Sequence, residues 1–159
     1  TFDENIPSNY GDSKIFSSNF KNAESVPVKT LDQLFYDNVK EKKSIKLIKC
    51  DAQGQELNII LGSRKIIDKY KPYLYLENDD INTSKVLIEK IKHMGYILFW
   101  HLPPLYNPDN FLKNAKNIFP KIISCNMLCI HRSTKITLNK IWKKFEITDS
   151  NYHPLKKVT

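Results

Sequence analysis

Ile45-Lys46-Leu47-Ile48-Lys49-Cys50-Asp51-Ala52-Gln53-Gly54-Gln55-Glu56-Leu57 is the stretch whose reading decides the fold. Ile45, Leu47 and Ile48 form a short apolar run, and Cys50 is small enough to stay inside. Asp51 falls where the strand should stop. From Gln55 onward Leu57, Ile60, Leu61 and Ile67 recur at helical spacing,. The pattern is strand, turn, helix, with a carboxylate at the strand's carboxyl end. In open α/β sheets ligands bind outside those ends. An aspartate before a helix also serves as its N-cap, accepting amide hydrogen bonds from the first turn, and that reading of Asp51 stands beside the functional one.

The flanking sequence extends the same alternation. Upstream, Val26-Pro27-Val28 is extended because proline disfavours helix in its neighbour. Thr30-Leu31-Asp32-Gln33 reads as a capping box, opening a helix that buries Leu31, Leu34, Phe35 and Val39 and ends in the charged run 40–43,. Downstream, Lys71-Pro72 stops the second helix, and Tyr73-Leu74-Tyr75-Leu76-Glu77 is a strand that again ends on a carboxylate. Residues 84–94 read as a helix with Leu87, Ile88, Ile91 and Met94 inward, closed by Gly95,. Strands follow at 96–100 and 126–131, separated by a proline-bearing insertion at 102–120. Residues 136–147 have helical spacing, with Leu138, Ile141, Trp142 and Phe145 on one face,. These expectations divide the chain into a loop-rich segment (1–25), an α/β domain (26–148) and a frayed tail (149–159). The predicted sheet is mostly parallel, with an antiparallel edge strand at the end.

Composition narrows the classes of function. The chain has 159 residues, enough for one domain with a substantial core, and 41% hydrophobic content argues against disorder,. The net charge is +8, yet only two cations, Arg64 and Arg132, are arginine, the planar reader of phosphate,. Nucleic acid is therefore an unfavoured partner, and the lysines read as solvated surface. The three cysteines, Cys50, Cys125 and Cys129, cannot all pair, which suits a reducing, cytoplasmic compartment,. No apolar run approaches the roughly 18 residues of a membrane span. Four glycines form neither a Gly-x-Gly-x-x-Gly string nor a P-loop,.

Several of these segments resemble the FkbM family of S-adenosylmethionine-dependent methyltransferases, from about residue 26 to 131. Val26 to Asp32 is similar to that family's lead-in, and Lys49-Cys50-Asp51-Ala52-Gln53-Gly54-Gln55-Glu56 to its Lys-x-Asp-x-Glu-Gly-x-Glu motif. Leu61-Gly62, Lys71-Pro72 and Leu76-Glu77 continue in register. Tyr106-Asn107, Asn110-Phe111 and Ser124-x-Asn126-Met127-Leu128-Cys129 resemble the ending of some members. The resemblance implies a Rossmann-like class I methyltransferase sheet, represented here by its second half, strands four to seven. Gln53 departs from the motif, standing where the family has glutamate. The family's glycine-rich cofactor turn has no counterpart, so S-adenosylmethionine is implied by resemblance while its main binding motif lies outside this sequence. A missing amino-terminal half or another subunit is the corresponding expected partner.

The implied reaction is methylation of a hydroxyl on a small molecule or sugar. In-line methyl transfer needs positioning and a destination for the hydroxyl proton. Asp51 and Glu77 are the candidate catalytic carboxylates. Glu56, His101, Tyr106, Asn107 and Asn110 are candidate substrate contacts, the last four grouped in the long loop. Glu56 also suits a helix first turn on electrostatic grounds alone. Paired carboxylates are the usual Mg²⁺ ligands, but Gln53 removes one, and no metal site is expected. The competing reading is a non-catalytic α/β binding module with a basic surface.

Overall fold

The structure is a computed structural model and describes residues 26–38, 44–137 and 139–156. The expectations for segment 1–25, Val39, the run 40–43 and Leu138 lie outside those residues. Among the described residues the elements in chain order are α1 (Leu31–Asn38), β1 (Leu47–Cys50), α2 (Glu56–Leu61), α3 (Arg64–Tyr70), β2 (Tyr73–Glu77), α4 (Ile81–His93), β3 (Tyr96–His101), β4 (Asn126–His131) and α5 (Lys140–Lys143). The four expected strands form one sheet in the order β1-β2-β4-β3. β1 and β2 are parallel, and β4 runs antiparallel to both β2 and β3.

The antiparallel strand is thus internal, where an edge strand was expected. Its sequence carries the reason. Met127-Leu128-Cys129-Ile130 is continuously apolar, which suits a strand covered on both faces better than an alternating edge,. The long 102–125 connection lets the chain return between β2 and β3 instead of beyond them.

Strand alternation sorts the sheet into two unlike faces. Ile48, Cys50, Leu74, Leu76, Met127, Cys129, Tyr96, Leu98 and Trp100 join Ile60, Ile66, Ile67, Leu87, Ile88 and Ile91 of the helices in one buried core. Tyr96 donates its hydroxyl to the Pro72 carbonyl at 2.9 Å, which satisfies the one polar atom of a fully buried ring,. The other face carries Lys49, Tyr75, Glu77, Asn126, Leu128, Phe99 and His101.

The helix expected over 55–71 is two helices, broken at Gly62-Ser63. A Cβ on Gly62 would lie 3.1 Å from Thr30 Cβ, so this glycine lets the start of α1 approach the break. Asp32 then caps α3 from a distance, accepting from the amides of Lys65 (2.9 Å) and Ile66 (3.0 Å). The Thr30–Gln33 capping box forms with both of its bonds, at 2.9 and 3.1 Å. Within α1, Leu31 and Phe35 pack on the core, whereas Leu34 is exposed. α4 starts earlier than its apolar spacing predicts because Asp80 caps it through Asn82 N at 2.9 Å.

The carboxyl-terminal region departs most from expectation. Only Lys140–Lys143 is helical, and Ile141 and Phe145 are exposed. Beyond that turn the chain pairs with β3: Trp100 N donates to Phe145 O and Ile147 N to Leu98 O, each at 2.8 Å. An open strand edge has outcompeted the helical spacing, and β-branched Ile147 suits the pairing. Trp142 is half-buried, edge-on to Phe99 at 6.1 Å. Trp142→Ala is therefore expected to cost about 1–2 kcal/mol, below the roughly 3–5 kcal/mol of a fully buried indole, as read by chemical denaturation.

The described part of the tail expected to fray, residues 149–156, is tied down instead. Lys92 Nζ donates to Thr148 O (3.0 Å) and Ser150 Oγ to Glu89 Oε1 (3.1 Å). His153 is buried, its Nδ1 accepting from Leu155 N at 3.1 Å. Its other nitrogen, Nε2, therefore carries the proton and donates it to Asn78 O at 3.0 Å,. None of the described helices is long and apolar enough to cross a membrane.

Candidate functional site

β1 and β2 are parallel and in register from Leu47↔Tyr73 to Cys50↔Leu76, so their carboxyl ends open on the same edge of the sheet. Asp51 follows β1 directly, and Glu77 ends β2. The chain leaves β1 through a tight turn in which Gln53 (φ 50°) and Gly54 (φ 92°) are left-handed. That turn sends the Gln53 amide toward Glu77, with Nε2 donating to Oε2 at 3.4 Å.

Asp51 does not cap the helix that follows. Its carboxylate takes Lys49 Nζ at 3.1 Å, a solvated pair of small energetic weight,. The amide of Ala52 is taken by Glu56, whose Oε1 accepts it at 2.7 Å. Glu56 is buried and reaches back across the first turn of α2. Its observed task is therefore to close the turn that aims Asp51 and Gln53.

Glu77 is the electrostatically unusual member of the edge. Burial raises its carboxyl to about 7, helped by the negative charges of Asp79 and Asp51, a hydrogen bond shared with Asp51, and the charge of Glu56,. Asp51 and Glu77 are thus brought together. Beside them lies a cavity of about 150 Å³ lined by Gly54, Glu56, Leu57, Glu77, Asp79 and Asp80, among others. No lysine or arginine lines it. A locally acidic edge has formed on a chain whose net charge is +8.

β4 extends this edge across the sheet. Glu77 pairs with Asn126, and Asn126 with His101, so the three share one row and one face. His101 Nδ1 lies 2.8 Å from Tyr75 Oη. Tyr106, Asn107 and Asn110 are placed elsewhere, in a loop cavity of about 460 Å³ with Asn114, Ile118 and Phe119. Their polar groups serve the loop: Tyr106 Oη contacts the carbonyls of Asn114 (2.9 Å) and Ala115 (3.0 Å), and Asn110 Nδ2 those of Asn107 and Asn114. Of the loop residues singled out from sequence, His101 alone joins the carboxylate row.

Four residues at this edge were not among the candidate site residues: Gln53, Tyr75, Asp79 and Asn126. For Tyr75 a signal was available, since period-two alternation puts it on the same face as Glu77. Asn126 stands in a segment that resembles the family, but its place in the row depends on β4 inserting between β2 and β3.

The paired carboxylates and the small cavity lie outside the carboxyl ends of a parallel strand pair, the place where open α/β sheets generally bind their ligands,. The model of the Methyltransferase FkbM domain matches residues 1–98, and the chain belongs to that family. The match begins upstream of the lead-in quoted above and ends inside β3, before the segments at 106–129 that resemble the ending of some members. No curated protein and no solved structure matches the chain.

Proposed function

We propose that the chain is the acceptor-side half of an S-adenosylmethionine-dependent O-methyltransferase acting on a hydroxyl of a small molecule or sugar. The observation that supports it most is Glu77, a carboxylate raised to about 7 and paired with Asp51 at the carboxyl edge. A general base works best when its pKa lies near the operating pH. In this reading Asp51 orients the acceptor hydroxyl, Glu77 receives its proton, and Gln53 holds the Glu77 carboxylate in place. Glu56 fixes the turn on which Asp51 and Gln53 sit.

The acidic edge also suits the methyl donor, which is cationic at sulfur and at its amino group; Asp51 and Glu77 are the residues that would face that charge. When bound, the donor supplies an electrophilic methyl group. The chain's four glycines form no Gly-x-Gly-x-x-Gly or P-loop string, so no glycine-rich turn offers the donor a row of backbone amides,. Weak donor affinity is therefore expected of this chain, with saturation only above the micromolar range in calorimetry. Micromolar affinity would show that other residues form the missing cradle.

We take β1 to β4 as strands four to seven of the class I sheet. Among the described residues β1 pairs only with β2, and its outer edge is where an upstream half or another subunit would add. Three unpaired, buried cysteines suit a reducing, cytoplasmic setting,.

The reading is tested by incubating the protein with methyl-labelled donor at millimolar concentration and a panel of polyhydroxylated acceptors. Label should appear in an acceptor, and Asp51→Asn should lower its yield at least tenfold with an unchanged melting temperature. Absence of transfer from the wild-type protein, or full transfer by Asp51→Asn, would remove the proposed role.

A further inference from the structure

The sheet face beyond the two carboxylates carries a second group of functional side chains. Tyr75 precedes Glu77 by two residues on β2, and His101 ends β3. β4 lies between these strands, so the 2.8 Å contact between Tyr75 Oη and His101 Nδ1 spans the sheet from one strand to the next but one. The rings approach to 5.8 Å between centroids with planes inclined at 59°. Both side chains stand on the sheet face opposite the main core, and His101 is exposed.

The contact has a chemical direction. Burial raises the Tyr75 hydroxyl above the usual phenol range, so it keeps its proton at neutral pH,. Because a phenol O–H is a stronger acid than an imidazole N–H, it is the favoured donor of the pair. Nδ1 of a neutral imidazole is then the acceptor, and the ring proton sits on Nε2. Tyr75 thereby leaves Nε2–H as the donor that the exposed His101 can offer. Glu77, Asn126 and His101 occupy one row across adjacent strands. With strands about 4.8 Å apart, the two ends of that row are about 10 Å apart.

We propose that Tyr75 and His101 form the far end of the acceptor site, with His101 Nε2–H binding an acceptor oxygen and Tyr75 acting as the positioning residue that sets its tautomer. This rests on the methyltransferase reading and adds the class of acceptor. One end of the row accepts hydrogen bonds through Asp51 and Glu77, the other donates through His101, and the Asn126 amide lies between. Only a molecule bearing groups that both donate and accept, spaced over several ångströms, satisfies all of it. An anion is repelled at the carboxylate end, and an ammonium gains nothing from Nε2–H. A sugar ring carries hydroxyls at the required spacing.

The test reads the pair and the ligand separately, on the whole chain. Long-range ¹H–¹⁵N correlation spectra should show the Nε2–H tautomer of His101 in the wild type and a mixture of tautomers in Tyr75→Phe. Titration with methyl glycosides of common hexoses should shift the amide resonances of Glu77 and His101 together. His101→Leu should weaken that binding at least tenfold, and His101→Gln, which keeps a donor near the Nε2 position, should recover most of it. An unchanged tautomer in Tyr75→Phe would overturn the positioning role. Unaltered glycoside binding in His101→Leu alongside lost binding in Glu77→Gln would remove the pair from the site while leaving the methyltransferase reading standing. If no glycoside shifts either residue, the acceptor class is wrong, whatever the methyl-transfer assay shows.

Discussion

Glu77→Gln is expected to lower methyl transfer by roughly 10²- to 10⁴-fold, the usual contribution of a positioned general base. The wild-type rate should rise with pH through about 7, because Glu77 accepts a proton only when ionised and its carboxyl is raised to that value. In Glu77→Gln the residual rate should lose this inflection. Stability should move the opposite way. A carboxyl whose pKa is higher in the folded chain than in the unfolded one favours folding while protonated. That contribution is complete below the unfolded value, near 4.5, and is lost as pH rises through about 7,. At pH 8 the wild type therefore holds a buried-edge charge crowded by Asp51 and Asp79, and glutamine relieves it. The variant should melt at a higher temperature than the wild type at pH 8, with the gap closing toward pH 4. A variant equally active at every pH would rule Glu77 out as the base. One that is inactive but also less stable at pH 8 would mean the carboxylate holds the edge together.

The same residues show how far sequence alone reaches. Asp51 and Glu77 were legible because a strand's end is a local event: an apolar run stops and a carboxylate follows. That both face one edge follows from the parallel α/β alternation, which β1 and β2 obey. The place of β4 was not legible in the alternation, since it is set by which edge a long connection returns to. The break at Gly62 was hidden because α2 and α3 keep a common apolar spacing across it. What breaks them apart is α1, docking through Asp32 from more than 30 residues away. The spacing over 136–147 is genuinely helical, yet residues 145–147 pair with β3, since tertiary pairing outweighs a weak local preference,. The tail gave no local sign of order, and its anchors, Glu89, Lys92 and Asn78, lie far back in the chain.

That tail makes Trp100→Ala the substitution with the largest expected effect on stability. Trp100 is 6% exposed and belongs to the core with Leu98, Met127 and Ile147. Removing a buried indole costs about 3–5 kcal/mol through lost transfer energy and the cavity left behind. Here the ring also supports a second structure: His153 packs edge-on against it, 5.3 Å between centroids. His153 in turn donates to Asn78 O, and Asn78 is the residue after Glu77. The indole nitrogen of Trp100 has no hydrogen-bond partner, so replacing the ring sacrifices no polar contact, and the cost is one of packing,. Two consequences should appear together. Chemical denaturation should show the loss of about 3–5 kcal/mol. Native-state hydrogen exchange should show the Leu155 amide, which bonds His153 Nδ1, losing protection by more than the global change requires,. The amide of Asn78 bonds Cys125 O at 2.8 Å and serves as the internal reference. Should Leu155 follow that reference without excess exchange, the tail would be held by its Glu89 and Lys92 contacts alone. His153 would then be a passenger in the packing and not the clasp on the loop that follows Glu77.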